Sequence, residues 1–365
     1  MLKYLIFEMN KKPNYKLLTF YKFVDLQKPK EIVEEHKSFC NDIGLRGRIF
    51  IGEEGINATL SGNFGQIKAY RLFLETIPEF NDILDIDDKT TIVDSHQFPK
   101  MIVRYRKEIV ALGEVFNSSL IGQSTHKISV DEFKQLMETK RDEFVILDMR
   151  NDYEYDLGHF KGAIPAGTVY FRELKSVLDD YKRQFDNKKI IMYCTGGIRC
   201  EKAGALLERE GIQGVYQLDG GVVKYVNRFN DTNWVGNLYT FDNRISTKVG
   251  DDNTHSVISK CHYTGQPAEE YYNCRYSVCN DQIITTKDQY EKHFGFCSEE
   301  CYHKSKETLL VRNEYFDKLD YKMLRGKIKS NPSKKDEISS VIATHLDRQL
   351  LNVEFNKKNS KKLTK

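Results

Sequence analysis

Residues 15–25 (YKLLTFYKFVD) alternate apolar and polar positions as a half-buried strand does. Residues 28–43 (KPKEIVEEHKSFCNDI) switch to helical spacing, with Pro29 in the first turn, where no N–H is needed. The run RGRIFIGEEGINATLSG, 46–62, reads as strand, glycine-broken bend and strand, and 63–77 as a second amphipathic helix with Asn63 placed to cap it. Strand-like stretches follow at 82–93 and 101–111. The order β-α-β-β-α-β predicts a split βαβ sandwich of ferredoxin or acylphosphatase type over residues 1–112. Cys40 falls within the first helix, where core packing is its expected role.

The segment GEVFNSSLIGQSTHK, 113–127, is polar and contains glycine, which places a domain boundary there. Beyond it Ser129 caps the helix VDEFKQLMETK, and EFVILDMR follows as a short apolar strand. A helix-rich stretch leads to a second buried strand, KKIIMYC, which runs straight into the loop CTGGIRC. The helix EKAGALLEREG comes next, then GVYQLDGG as strand and turn. Strands alternating with helices predict a parallel sheet covered on both faces, assigned with its linker to 113–230. From about 231 the periodicity weakens: 231–310 is rich in tyrosine and cysteine, and 311–365 is charged and helical in places, broken by Pro332.

A chain of 365 residues has room for two or three domains, and a 40% hydrophobic, 12% aromatic composition builds real cores, which excludes a disordered chain. The net charge of +3 is no signature of polyanion binding. Residues 321–335 (YKMLRGKIKSNPSKK) and the last nine (KKNSKKLTK) are locally basic, read either as solvated surface or as an RNA contact. No run approaches the ~18 apolar residues of a membrane span. The opening MLKYLIFEMNKKPNYK has no small-residue cleavage site, so a soluble, cytoplasmic chain is expected. Eight cysteines in such a chain are not a disulfide framework. They divide into a pair at 194 and 200 that suggests catalysis, a cluster from 261 to 301 that suggests metal, and Cys40 alone.

Parallel sheets present ligands at the carboxyl ends of their strands, and Cys194 follows such an end, directly after Ile190-Ile191-Met192-Tyr193. In the loop Thr195-Gly196-Gly197-Ile198-Arg199 the glycines let several backbone N–H groups turn toward one point. The helix opening there adds positive potential, and Arg199 adds a full charge. Each favours thiolate over thiol, so these residue types specify an activated sulfur nucleophile in an anion cradle. Four residues separate Cys194 from Arg199. That cradle is tighter than the one in cysteine phosphatases and resembles the rhodanese loop, which suits a persulfide sulfur. Upstream, Asp148-Met149-Arg150, Glu154-Tyr155 and Gly158-His159-Phe160-Lys161-Gly162-Ala163-Ile164-Pro165 resemble the ordered rhodanese motifs, as does Leu218-Asp219-Gly220-Gly221 downstream. Asp148, Arg150 and His159 are expected to brace the loop and strand ends, Glu154 to pair with a cation, and Arg199 to act at the site. Cys200 is open to two readings: a resolving thiol that forms a reversible disulfide with Cys194, or a small buried residue at a helix start.

Cys274 and Cys279 have four residues between them, and Cys297 and Cys301 have three. Two cysteine pairs at this separation suit a structural zinc site with four thiolate ligands. Cys261 lies upstream, with Thr264 where a CxxC partner would stand. His262, His293 and His303 are substitute ligands, read first as surface histidines.

The segments EEGINATLSG (53–62) and FPKMIVRYRKEIVALG (98–113), the rhodanese motifs with CTGGIRCEKA (194–203), and the distal cysteines occur in that order. The whole arrangement resembles the rhodanese-containing tRNA uridine hydroxylase family over roughly residues 15–305. The resemblance implies hydroxylation of carbon 5 of the tRNA wobble uridine to 5-hydroxyuridine, with molecular oxygen as co-substrate and Cys194 as the essential cysteine; no organic cofactor is evident in the sequence. It implies tRNA as partner, bound through its anticodon loop. Arg46, Arg48, Arg104, Arg106 and Lys107 flank the expected strands and are candidates for phosphate contacts, and the aromatic-rich 263–276 for stacking on loop bases. Two routes fit Cys194: addition of its thiolate to carbon 6 of uracil, or oxygen delivery from an oxidised sulfur. The competing functions are sulfur transfer, with Cys194 carrying a persulfide from thiosulfate or a desulfurase, and a tRNA-binding or redox-sensing module.

Overall fold

The structure, a computed structural model, describes residues 15–81, 83, 90–123, 126–185, 188–279, 281–312 and 320–360. The opening residues, most of the first part of the strand expected at 82–93, and the final five residues lie outside these. The chain divides into two compact units, Met1–Ser256 and Val257–Lys365.

The first unit begins with a five-stranded sheet of order β4-β1-β3-β2-β5: β1 (Tyr15–Phe23), β2 (Arg46–Gly52), β3 (Gly55–Asn63), β4 (Thr90–Val93) and β5 (Met101–Tyr105). β1 pairs antiparallel with β3 and β4, and β2 antiparallel with β3, the expected split βαβ arrangement. β5 extends it, running parallel to β2 at the far edge. Helices α1 (Pro29–Asp42) and α2 (Phe64–Glu75) cover one face. Asn63 closes a capping box with Gln66, satisfying two N–H groups at the start of α2. Alternation assigns the faces: Leu18, Phe20, Ile49, Ile51, Ile56, Ala58 and Leu60 pack with Cys40 under the helices. Thr19, Tyr21, Arg48, Phe50, Asn57 and Thr59 occupy the opposite face.

The second sheet is wholly parallel, of order β6-β11-β10-β7-β9: β6 (His126–Ile128), β7 (Phe144–Asp148), β9 (Ile164–Pro165), β10 (Lys189–Tyr193) and β11 (Val215–Leu218). β8 (Gly158–Phe160) pairs instead with β12 (Trp234–Gly236). Both faces of the sheet are buried, as its near-continuous apolar strands require. Ile190, Met192 and Cys194 point into one core, and Ile191 and Tyr193 into the other. The polar stretch 113–127 is packed more tightly than its composition suggests. It forms the short helix α3 (Ser118–Gln123), and Phe116 and Ile121 enter the core beside Cys194.

In the second unit the strands β13 (Glu270–Asn273) and β14 (Gln282–Thr285) form an antiparallel hairpin. Its core joins Cys274, Tyr276, Ile283, Tyr290 and Phe296 to Ile338, Ile342 and Leu346 of the long terminal helix Lys335–Ser360. Pro332 lies in the turn between that helix and Tyr321–Ser330. Among the described residues no helix is long and apolar enough to cross a membrane.

Candidate active site

Cys194 sits at the carboxyl end of β10, where the chain must turn from strand to helix. The helix α4 (Ile198–Arg209) begins at Gly197, whose φ of +101° is open to glycine and strained for any other residue. A Cβ there would also stand 2.7 Å from the Tyr21 hydroxyl. Gly221 is constrained in the same way. Its φ is +65°, and a Cβ would lie 2.5 Å from the Cys194 carbonyl oxygen. That close approach lets the Val222 and Val223 N–H groups bond to the Cys194 and Thr195 carbonyls, each at 3.0 Å, and gives the LDGG turn its purpose.

The sulfur is buried, and the Gly197 N–H donates to it at 3.1 Å. Burial alone raises the Cys194 thiol. The Cys200 thiol donating to it, the Arg199 charge, and the Cys200 and Arg199 backbone N–H groups outweigh burial and bring it down to about 5. Cys200 moves the opposite way, raised by burial and by the neighbouring thiolate, so it remains the S–H donor of the pair. Both cysteines are free.

Arg199 is held by Glu154, with Nη1 to Oε2 at 2.5 Å and Nη2 to Oε1 at 2.9 Å; Nη2 also donates to Thr195 Oγ1 at 3.1 Å. Burial would raise the Glu154 carboxyl, but Arg199, Arg150 and the Asn151 N–H bring it below the ordinary range, so it is a carboxylate. Asp148 and Arg150 form a buried fork, Nε to Oδ1 at 2.9 Å and Nη2 to Oδ2 at 2.6 Å. Arg150 also donates to the Gly158 carbonyl, and the Tyr193 hydroxyl to Asp148, both at 2.6 Å. His159 stacks on Tyr155 with ring centroids 3.9 Å apart and donates from Nδ1 to the Tyr155 carbonyl. These three residues hold strand ends together and do not line the cavity above the thiol.

That cavity, about 440 Å³, lies between the thiol loop and the uncovered face of the N-terminal sheet. Cys194, Thr195, Gly196, Ile198 and Arg199 form one wall; Thr19, Tyr21, Arg48, Phe50, Asn57 and Thr59 form the other. Of the basic residues singled out in the sequence, Arg48 lines it. Arg104 pairs with Phe50 and Arg46 with Ser61, which puts both on the same face as Arg48. The Arg106 guanidinium lies 5.5 Å from the Phe50 ring, and Lys107 is exposed beside it. Sequence reasoning missed Tyr21, which donates to Glu201 at 3.2 Å, and Arg172, Phe241 and Arg244, which close the cavity from a short 3-10 helix (Phe171–Val177) and a loop, neither with a readable period.

In the second unit the sulfurs of Cys274, Cys279, Cys297 and Cys301 all lie within 4.8 Å of one another. Cys297 is 3.7 Å from Cys279 and 3.5 Å from Cys301. Tetrahedral zinc with Zn–S bonds of ~2.3 Å spaces its sulfurs by about 3.8 Å, so the donor set fits a metal ion. Cys261 stands apart, its sulfur 3.1 Å from Thr285 Oγ1. His262 bonds to the Cys297 carbonyl and His293 stacks on Tyr263, so neither joins the four sulfurs, and His303 lies against Tyr302. The tyrosines of 263–276 serve packing: Tyr271 and Tyr276 are buried and Tyr272 stacks on Tyr290.

Three family models match in succession: the UPF0176 acylphosphatase-like domain at residues 15–109, the rhodanese-like domain at 129–228 and the rhodanese C-terminal domain at 235–302. A Bacillus licheniformis protein named tRNA uridine(34) hydroxylase is 39% identical over 295 residues, covering 80% of this chain and 89% of its own. Its Bacillus velezensis namesake is 40% identical over 293 residues, covering 79% and 88%.

Proposed function

We propose, for a chain that belongs to the tRNA uridine(34) hydroxylase family, that it hydroxylates carbon 5 of the wobble uridine in the anticodon loop of tRNA, with molecular oxygen as oxidant and Cys194 as the catalytic nucleophile. The observation that carries this reading is a buried Cys194, its thiol lowered to about 5 by the Cys200 thiol and Arg199, across one cavity from a sheet face bearing Arg48, Arg104 and Arg46. A rhodanese loop alone serves sulfur transfer. A cavity of about 440 Å³, walled on its far side by aromatic and cationic side chains, has room for an unpaired nucleotide.

The Cys194 thiolate adds to carbon 6 of uracil, forming the C–S bond and moving the ring electron pair to carbon 5 and the O4 enolate. Loop N–H groups and Arg199 stabilise that charge. Carbon 5 then takes one oxygen atom from molecular oxygen. The other oxygen leaves as water with two electrons and two protons from an external reductant of thiol class. Loss of the carbon 5 proton expels the Cys194 thiolate and restores the double bond. Arg46, Arg104, Arg106 and Lys107 contact backbone phosphates. Cys274, Cys279, Cys297 and Cys301 would hold a structural zinc that ties their unit together. Reduced cysteines and a tRNA substrate fit a cytoplasmic location.

One observation favours a second reading. The rhodanese-like loop is complete, and a persulfide on Cys194 would gain from the same N–H groups. Mass analysis of tRNA nucleosides from cells with and without the gene separates the two: loss of 5-hydroxyuridine derivatives supports hydroxylation, and loss of a thiolated nucleoside supports sulfur transfer. Cys194→Ala abolishes the product in either case. 5-Hydroxyuridine retained in that variant removes the proposed nucleophile.

A further inference from the structure

Strand register arranges the uncovered sheet face as a grid. Tyr21 of β1 pairs with Asn57 of β3, and Asn57 pairs with Phe50 of β2. Residues paired across strands point to the same side, so a side-chain amide lies between two aromatic rings, and all three line the cavity that Cys194 closes.

The orientation of that amide is determined. Asn57 Nδ2 donates to the Ile109 carbonyl at 2.9 Å. A flipped amide would set two oxygens against each other, so Nδ2 must be the atom facing Ile109. The peptide carrying the Ile109 carbonyl is held from both sides and cannot turn to follow a flip: the preceding unit donates its Ile109 N–H to Glu54 Oε1 at 2.7 Å, the following one offers its Val110 carbonyl to Lys202 Nζ at 3.1 Å, and Ile109 is buried. Glu54 is held in turn by Lys202 Nζ at 3.1 and 3.2 Å, and Lys202 lies on α4, the helix that opens at the thiol loop. One chain of bonds therefore runs from the thiol-loop helix through Glu54 and Ile109 to the Asn57 amide. Asn57 is half-buried in the cavity wall, with Oδ1 as its remaining acceptor.

We propose that Asn57 is the residue that selects uracil: its Oδ1 accepts the N3–H of the base while the second Nδ2 proton donates to a ring carbonyl. This rests on the proposed function and names the specificity determinant of the same cavity. Uracil presents N3–H as a donor flanked by two carbonyl acceptors, whereas cytosine presents an acceptor at N3 and a donor at the neighbouring amino group. An acceptor locked at this point matches the first pattern and opposes the second. A buried polar group left facing the wrong partner discriminates strongly.

The test measures binding separately from turnover. Anticodon stem-loop RNAs carrying uridine, cytidine or 3-methyluridine at the wobble position are titrated against the full chain by fluorescence anisotropy. Wild type is expected to bind the uridine RNA at least tenfold more tightly than the other two, a ratio typical of one bidentate base contact. Asn57→Ala is expected to bring all three affinities within about twofold of one another, with its melting temperature recorded to establish folding. Equal wild-type affinity for the uridine and 3-methyluridine loops overturns the proposal without any variant. A wild-type preference that survives in folded Asn57→Ala overturns it as well. 5-Hydroxyuridine formation on the same uridine RNA is read in parallel. Its absence alongside an Asn57-dependent preference defeats the hydroxylation reading and leaves the assignment of Asn57 standing.

Discussion

Lys202, one turn beyond the thiol loop, is wholly buried against Glu54, on the bend of the β2–β3 hairpin, with Nζ to Oε2 at 3.1 Å. The same ammonium reaches Glu108 Oε2 at 2.7 Å and the Val110 carbonyl at 3.1 Å. Three segments of the family pattern, EEGINATLSG, FPKMIVRYRKEIVALG and CTGGIRCEKA, thus meet on one nitrogen. Burial raises the Glu54 carboxyl in spite of Lys202. Glu108, which burial would also raise, is brought below the usual range by Lys202 and the Leu112 N–H.

Lys202→Met leaves two carboxylates facing each other without a cation. Breaking a buried pair by removing one partner costs about 3–5 kcal/mol. Urea denaturation should report a loss of that order, and Glu54→Gln in the same chain should recover part of it in a double-mutant cycle. Additive losses would show that the two side chains are not coupled.

Cys194 alkylation should follow its thiolate. With the thiol lowered to about 5, the iodoacetamide rate is flat near neutral pH and falls as the pH drops through 5. Cys200→Ala removes the S–H donor, so the midpoint moves upward. A rate that still climbs between pH 7 and 9 in wild type would mean the cradle does not activate this sulfur.

Glu154→Gln removes the counter-charge of Arg199 and weakens its fork, so the loop loses its aim. Misplacement of a reacting group by about an ångström costs on the order of 100-fold in rate. The loss should appear in kcat, with tRNA affinity nearly unchanged. A change confined to KM would assign Glu154 to RNA binding instead.

His36 is buried under the N-terminal sheet with Nδ1 donating to the Ile32 carbonyl at 2.9 Å, and burial lowers its pKa to about 4. The folded value lies below the ordinary ~6.5 of an unfolded histidine. Its contribution is therefore complete above pH 6.5 and is lost as pH falls toward 4, up to about 3 kcal/mol in all. His36→Gln should flatten that part of the stability-against-pH curve measured by denaturation.

Protein purified without added zinc should carry about one zinc per chain by elemental analysis. Cys279→Ser should lower that content and expose the residues 257–365 to proteolysis, with the thiol-loop unit keeping its melting transition. Cys261→Ser should leave the metal content unchanged, because its sulfur bonds to Thr285 outside the four-sulfur set.

Local signals were legible where chemistry and periodicity coincide within a few residues. The capping box at Asn63, Pro29 at the start of α1, the parallel strands into CTGGIRC and the four-cysteine grouping are all short-range patterns. The packing of 113–127 was hidden because Phe116 and Ile121 are isolated apolar residues in a polar stretch, too few to make a period. The tyrosines of 263–276 are open to stacking on bases in the sequence, yet Tyr276 is buried in a core that draws Ile338, Ile342 and Leu346 from the distant terminal helix.

By itself the sequence determined the strand-loop-helix around Cys194, since glycines, an arginine and a helix start within six residues are enough to make an anion cradle. It also determined the N-terminal sandwich, through alternation and caps. Only the tertiary structure decided what stands opposite the thiol. Tyr21, Asn57 and Arg48 become cavity walls because Lys202 and Glu54, 148 residues apart in the chain, meet in a space that excludes water. Contacts of that range leave no periodicity in a single sequence: each partner is an ordinary charged or polar residue until folding brings the other within bonding distance.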